Sequence, residues 1–157
     1  MNAEDRQSLL SKVFSNPRLK AAAAWGWVFR SRFEQRSPEE DDWIVWLLLA
    51  GRGFGKTRTG AEFIRAEVKA GRAGRIALIG PTANDVRSVM VEGPSGLLSI
   101  YSKRDRPRYE PANHRILWNN GAIATLFSAD EPQRLRGPQH DLAWADEICA
   151  WRRPQEA

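Results

Sequence analysis

The sequence contains one cysteine, Cys149, in 157 residues. This scarcity excludes an internal disulfide and any cysteine-rich metal site, and it suits a reducing compartment. The sequence also lacks an apolar run near the roughly 18–20 residues that a membrane-spanning helix needs, and its first residues lack the basic-then-apolar order of a secretion signal. Internal repeats and low-complexity segments are absent as well. We therefore expect a soluble, cytoplasmic protein with no membrane partner, in which Cys149 packs and does not react.

Hydrophobicity and charge indicate one small domain with an anionic partner. Apolar residues make up 42% of the chain, which is enough for the core of an α/β domain. The 24 lysines and arginines against 19 acidic residues give a net charge of +5, which favours nucleic acid or nucleotide as the partner. A solvated basic surface is the alternative explanation. The same two interpretations apply to the basic residues in and beside the loop 102–107, which are Lys103, Arg104, Arg106 and Arg108.

A glycine-rich stretch, Ala50-Gly51-Arg52-Gly53-Phe54-Gly55-Lys56-Thr57, follows the apolar run Trp43–Leu49. The run predicts a strand buried on both faces. The glycines allow a tight turn in which successive N–H groups point into one concavity, which suits a phosphate. Lys56 would reach the β- and γ-phosphates, and Thr57 would place its hydroxyl on Mg²⁺ at the start of a helix. The stretch therefore predicts a binding site for a nucleotide with Mg²⁺.

This stretch departs from the phosphate-loop pattern G-x-x-x-x-G-K-[ST] at one position, because Ala50 stands where the first glycine belongs. An ordinary strand–turn–helix junction is the alternative. The context favours a phosphate loop, since Ala61, Ile64 and Val68 recur on one face of a predicted helix and Gly71 provides its C-terminal stop.

The rest of the pattern predicts an α/β domain over residues 43–157, preceded by a helical segment and linker over residues 1–42. Arg75–Ile79 reads as a second buried strand, so strand, loop, helix and strand would form a right-handed βαβ unit. Thr82 would cap a helix that runs to about Val91. Asn119-Asn120-Gly121 between two apolar runs predicts a β-hairpin, which we expect to be inserted into a mostly parallel sheet with flanking helices.

Two acidic residues, Asp146 and Glu147, follow the short apolar run Leu142–Ala145. A carboxylate at the tip of a parallel strand beside a phosphate loop can hold Mg²⁺, and the next can polarise the water that attacks the γ-phosphate. That assigns Asp146 to the metal and Glu147 to the base. A solvated turn is the alternative for the acidic pair taken alone, and its coincidence with Gly-Lys-Thr upstream favours the nucleotide site.

Residues 30–153 resemble the ATPase domain of large terminase subunits, the DNA-packaging motors of tailed phages and gene transfer agents. The similarity begins with residues 42–62 and continues in order through several further matches. These are Gly80-Pro81-Thr82 with Asp85-Val86-Arg87, Val91-Glu92-Gly93 with Gly96-Leu97-Leu98, Asn119-Asn120-Gly121-Ala122, Ser128-Ala129-Asp130-Glu131-Pro132 with Arg134-Leu135-Arg136-Gly137-Pro138, and Trp144-Ala145-Asp146-Glu147-Ile148-Cys149-Ala150-Trp151.

The resemblance implies a RecA-like P-loop ATPase that couples ATP hydrolysis to translocation of double-stranded DNA into a procapsid. Arg52 occupies the place of an arginine that senses or stabilises the γ-phosphate, with a solvated loop arginine as the alternative. Gln35 is the candidate for a glutamine that reads the adenine. The resemblance also implies portal protein and a small terminase subunit as partners, a homo-oligomer when full length, and a location in the host-cell cytoplasm and transiently at the portal.

The sequence departs from the family in lacking a threonine-rich coupling segment, later ATPase strands and a nuclease domain. In the family's usual sheet a later strand lies between the phosphate-loop strand and the Asp-Glu strand. We therefore expect residues 1–157 alone to fold marginally and to hydrolyse ATP near background. Another DNA-translocating or helicase-like P-loop ATPase, and a non-hydrolysing remnant, are the alternatives.

Overall fold

The computed structural model describes residues 8, 11–12, 15–17, 26–38 and 43–155, and the chain divides into two units, residues 1–46 and 47–157. In the first unit, helix α1 (Trp27–Arg30) precedes a 3₁₀ turn, Phe33–Gln35. Most of the N-terminal segment that the sequence predicts to be helical lies outside the described residues. The division into residues 1–42 and 43–157 therefore stays a prediction.

The second unit has an α/β fold. Its helices are α2 (Lys56–Ala70) and the single turn α3 (Ala83–Asp85), which continues into a π-helix over Val86–Val91. The described strands are β1 (Arg75–Gly80), β2 (Arg108–Glu110), β3 (Arg115–Leu117), β4 (Ile123–Ser128) and β5 (Leu142–Ala145). Short 3₁₀ turns lie at Leu97–Ile100, Pro111–Asn113, Pro132–Leu135 and Ile148–Ala150.

The described strands form one mixed sheet in the order β2-β3-β4-β1-β5. Strand β1 is parallel to both neighbours, with Ile76 opposite Ala124 of β4 and Leu142 of β5. The pairs β2–β3 and β3–β4 are antiparallel. The prediction of a mostly parallel sheet is therefore wrong, because half of these pairings are antiparallel.

The predicted hairpin is confirmed, but it is not an insertion. Strands β3 and β4 flank residues 119–121, and Gly121 adopts φ +88°, which glycine reaches without a steric penalty. Strand β4 also pairs with β1, so it lies inside the sheet. Its side chains at Ala124 and Leu126 are buried accordingly.

Helix α2 forms as its apolar spacing predicts. Ala61, Ile64 and Val68 face the core, with exposed fractions of 3% or less. The helix ends at Gly71, whose left-handed conformation lets its N–H donate to the Val68 carbonyl at 3.2 Å. On the other side of the core lie residues from β1 and from the π-helix, including Leu78 and Met90. The core therefore holds α2 against the sheet.

The prediction of a buried strand over Trp43–Leu49 is wrong. Residues 45–50 form no strand, and alternate side chains along the run are open to solvent, with Leu49 exposed by 83%. The apolar run indicated a strand buried on both faces, but a strand forms only where a neighbouring strand pairs with its backbone N–H and C=O groups, and among the described strands β5 pairs only with β1. The prediction that Cys149 packs is also wrong, because Cys149 is exposed in a 3₁₀ turn.

The segment after β1 differs from its prediction in helix type. The Thr82 hydroxyl accepts from the Asp85 N–H at 3.1 Å, so the predicted N-cap is confirmed. After one α-helical turn, however, the hydrogen bonding changes to the π pattern up to Val91.

Within the described part of the chain, no helix has the length and apolar character to cross a membrane.

Candidate functional site

The glycine-rich loop leads directly into the first turn of α2. Gly53 and Gly55 adopt φ values of +80° and +89°, in the left-handed region that favours glycine. A Cβ atom added at Gly53 would meet nothing within 4 Å, so the backbone conformation, and not lack of space, requires glycine there. Gly55 is the N-cap of α2, and its carbonyl accepts from the Thr59 N–H at 2.9 Å. The loop therefore ends where the free N–H groups of a helix begin.

Lys56 lies across this loop as the first residue of α2. Its Nζ donates to the Ala50 carbonyl at 2.9 Å and more weakly to the Gly51 carbonyl at 3.4 Å. The ammonium group therefore lies near the start of the loop and near the N-terminus of a 15-residue helix. Positive charge and free N–H groups in one place can bind an anion such as phosphate.

The second half of the site lies at the end of β5. Asp146 is buried, with an exposed fraction of 7%, and its N–H extends the parallel pairing by donating to the Ile79 carbonyl at 2.9 Å. Its Oδ2 accepts from the Thr57 hydroxyl at 3.1 Å, and its Oδ1 accepts from the Glu147 N–H at 3.1 Å. Burial raises the pKa of Asp146 above its ordinary value, and the hydrogen bond from Thr57 opposes that shift.

Thr57 and Asp146 provide a hydroxyl oxygen and a carboxylate oxygen at the junction of α2 and β5. Hard oxygen ligands of this kind fit Mg²⁺, and a desolvated carboxylate is stabilised by a nearby cation. These two side chains could therefore hold the metal. Among the described residues, no three His, Cys, Asp or Glu side chains cluster around one point as metal ligands.

Glu147 has an unusual backbone conformation for a residue other than glycine. Its φ of +51° lies in the left-handed region, and the turn after it is fixed by the Ala150 N–H, which donates to the Glu147 carbonyl at 2.8 Å. The Trp151 indole N–H also donates to the Asp146 carbonyl, at 3.0 Å. Such strain costs about 1–2 kcal/mol and is concentrated at functional sites.

A cavity of about 260 Å³ opens beside the two acidic residues. It lies at the carboxyl ends of the parallel strands β1 and β5, where ligands bind in open α/β sheets. Its lining combines apolar side chains with three carboxylates; the lining residues are Pro81, Asp85, Val89, Met90, Asp146, Glu147 and Ala150.

The structure brings some of the predicted site residues together. Thr57 and Asp146 are joined across 89 positions of the sequence. Arg52 is exposed in the loop, and Phe54 is half-buried. Gln35 belongs to the first unit, where its side-chain carbonyl accepts from the Arg32 N–H at 3.1 Å and the side chain is buried. Its assignment to the adenine stays a prediction.

Sequence reasoning missed one close contact beside the site, between Gly60 of α2 and Trp144 of β5. A methyl group added at Gly60 would overlap the indole ring, at 2.5 Å from its Nε1. A signal was present, because glycine in the interior of an amphipathic helix is unfavourable and often marks close packing.

Comparison with known proteins identifies the family. No curated protein and no solved structure shows detectable similarity to the chain. A family model described as the N-terminal part of the terminase large subunit, T4-like virus type, matches residues 47–157. The match includes the glycine-rich loop, the sheet and the acidic pair, and the family indicates a role in DNA packaging. The chain therefore belongs to the terminase large subunit family, in its N-terminal part.

Proposed function

We propose that this chain binds ATP with Mg²⁺ at the loop Gly51–Thr57 and hydrolyses it to drive double-stranded DNA into a procapsid. The observation that carries the proposal is the 3.1 Å hydrogen bond between the Thr57 hydroxyl and the Asp146 carboxylate. It joins the end of a glycine-rich loop to the end of a parallel strand, which is the arrangement that a phosphate loop and its acidic partner strand require.

The phosphates would be bound by the loop and the first turn of α2. The backbone N–H groups of the loop residues Gly51, Arg52, Gly53, Phe54 and Gly55 would donate to phosphate oxygens. Lys56 would supply a point charge to the β- and γ-phosphates. Arg52, which is exposed at the loop tip, would stabilise charge that develops on the γ-phosphate. Gln35 is our candidate for the adenine contact.

Three other side chains would hold the metal and activate the attacking water; they are Thr57, Asp146 and Glu147. Thr57 and Asp146 would hold Mg²⁺, which when bound neutralises charge on the phosphate oxygens. Glu147 would accept the proton of the attacking water, because its backbone turn lies at the cavity that the acidic residues line. The left-handed conformation of Glu147, fixed by the turn Ile148–Ala150, would preserve that placement.

The wider role that we propose follows from the family. The partners would be double-stranded DNA, portal protein and a small terminase subunit, with several copies of the full-length protein acting together. The net charge of +5 suits the DNA. The setting would be the host-cell cytoplasm and the portal of the procapsid.

The first test measures Mg-ATP affinity by calorimetry in Lys56→Ala. We expect binding to be lost, because the substitution removes the charge that meets the phosphates. Lys69→Ala is the matched control, since Lys69 lies in the last turn of the same helix and is exposed. Equal affinity in Lys56→Ala and Lys69→Ala would contradict the phosphate-loop assignment.

The second test separates binding from hydrolysis with Glu147→Gln. In the full-length protein, affinity should persist and phosphate release should fall by about 100-fold or more, because a general base typically contributes that much. Glu131→Gln, an exposed glutamate outside the cavity lining, is the control. Loss of affinity in Glu147→Gln would make this residue structural, and binding without turnover in the wild-type chain would support the non-hydrolysing alternative.

A further inference from the structure

Helix α2 and strand β5 are in close contact at Gly60 and Trp144. The indole ring lies directly against the helix backbone, in space that any side chain at position 60 would fill. Glycine is among the least favourable residues in a helix interior, and Gly60 lies well inside the range Lys56–Ala70. The residue is therefore explained by packing against the indole and not by helix stability.

This contact and the Thr57–Asp146 hydrogen bond lie along the same two elements. Gly60 comes three positions after Thr57, so the two residues share one face of α2. Trp144 comes two positions before Asp146 in extended backbone, so their side chains lie on the same side of the strand. The indole contact and the hydrogen bond are therefore neighbouring attachments between the same helix face and the same strand face.

The two attachments differ in what they require of the helix–strand spacing. A hydrogen bond such as that from Thr57 to Asp146, at 3.1 Å, weakens steeply when its partners move apart. An aromatic ring seated against a backbone is a rigid spacer, because packed groups neither compress nor leave gaps without cost. The indole therefore fixes the separation at which the hydroxyl can reach the carboxylate.

We propose that Gly60 and Trp144 are positioning residues, and that the indole seated on the glycine holds the Thr57 hydroxyl within hydrogen-bonding distance of the Asp146 carboxylate. If the proposed function holds, this spacing also prepares Thr57 and Asp146 to hold Mg²⁺, and that consequence rests on the proposed function. The helix–strand spacing itself does not. The proposal is therefore tested first without nucleotide and then with it.

The first experiment is a double-mutant cycle on the free energy of unfolding, measured by urea denaturation of the whole chain. Thr57→Val removes the hydroxyl and should destabilise the wild-type chain. In the Gly60→Ala background, where the added methyl separates α2 from β5, Thr57→Val should cost clearly less, because the hydrogen bond is already broken. Gly96→Ala is the matched control, since its methyl would lie 2.7 Å from the Val91 carbonyl oxygen, outside α2 and β5.

A second variant keeps the test informative if Gly60→Ala does not fold. Trp144→Leu removes the spacer, so Thr57→Val should again cost less than in the wild type. The double variant Gly60→Ala with Trp144→Leu should recover part of the coupling, because the new methyl occupies space that the indole has left. Equal costs of Thr57→Val in the wild-type, Gly60→Ala and Trp144→Leu backgrounds would overturn the proposal.

The second experiment compares ATP affinity with Mg²⁺ and with EDTA. In the wild-type chain we expect Mg²⁺ to tighten binding by about tenfold or more, as one additional charge-assisted contact would. In Gly60→Ala the ratio of the ATP affinities measured with Mg²⁺ and with EDTA should fall towards one. The affinity measured in EDTA, which depends on Lys56, should be retained. An unchanged ratio would overturn the proposal. Coupling in the cycle without any ATP binding would instead leave the positioning intact and remove the proposed function.

Discussion

Glu62 provides a prediction whose magnitude can be worked from the structure. Its side chain is fully buried on α2 and forms ion pairs with Arg58 at 2.8 Å and Arg65 at 2.7 Å. Arg65 also donates to the Ile100 carbonyl at 3.0 Å and lies over the ring of Tyr101. Glu62 therefore connects the first turns of α2 to the segment that packs against the helix.

We expect Glu62→Ala to lower the free energy of unfolding by about 3 kcal/mol. Removing one partner of a buried ion pair costs about 3–5 kcal/mol, because the remaining charge is left uncompensated. The side chains of Arg58 and Arg65 are 21% and 22% exposed, so water partly compensates them and the lower end of that range applies. Against a typical domain stability of about 5–15 kcal/mol, the loss is large.

Urea denaturation of Glu62→Ala and Glu67→Ala tests this reasoning. Glu67 is a matched control on the same helix, with the same change in charge and an arginine partner, Arg72, whose side chain is 64% exposed. The Glu67 side chain is 16% exposed, but solvent screens its ion pair with the exposed Arg72, so Glu67→Ala should shift the midpoint less than Glu62→Ala. Equal costs for the two variants at unchanged m-value would refute the conclusion that burial makes the Glu62 pairs essential.

Two further predictions concern the ends of β1 and α2. Hydrogen bonds from the Gly74 and Arg75 N–H groups hold the pKa of Asp141 below its ordinary value, so its contribution to stability is present above about pH 4 and is lost as pH falls through the lower folded-state pKa. Urea midpoints of Asp141→Asn should therefore fall less on acidification than those of the wild type, and equal slopes would contradict this. Asn120→Ala should cost about 1 kcal/mol, because it removes the hydrogen bond from the side-chain amide to the Val68 carbonyl at 2.9 Å, while that carbonyl keeps the Gly71 N–H as a donor. Thermal melting of the exposed neighbour variant Asn119→Ala is the control, and equal shifts would argue against a contribution from this hydrogen bond.

Local patterns were sufficient to predict much of the fold. Helix α2 has its apolar spacing and its terminal Gly71, and β1 and the hairpin around Gly121 were likewise predicted from short stretches. Strand β2 was missed because Arg108–Glu110 is short and charged, and it forms only by pairing with β3. The run before the glycine-rich loop failed for a related reason, since a strand's burial depends on neighbours that its own residues do not encode.

The candidate site divides in the same way. The pairing of Thr57 with Asp146 was predictable, because two motifs with complementary chemistry imply a common location. The left-handed backbone at Glu147 was not predictable, since residues other than glycine rarely adopt it without tertiary constraints. The burial of Glu62 was missed because charged residues on a helix usually face solvent.

The strand order has a consequence for the route of folding. The hairpin β3–β4 and helix α2 are built from contacts that are local in sequence. The pairing of β1 with β5, in which Leu142 lies opposite Ile76, joins residues that are distant in sequence. Loop-closure entropy delays such distant parallel pairings relative to local ones. During synthesis, moreover, the ribosome releases α2, β1 and the hairpin before β5 exists. We therefore infer that the Thr57–Asp146 pair forms after the contacts within α2 and the hairpin, so that a nascent chain builds much of its core before the glycine-rich loop meets the end of β5.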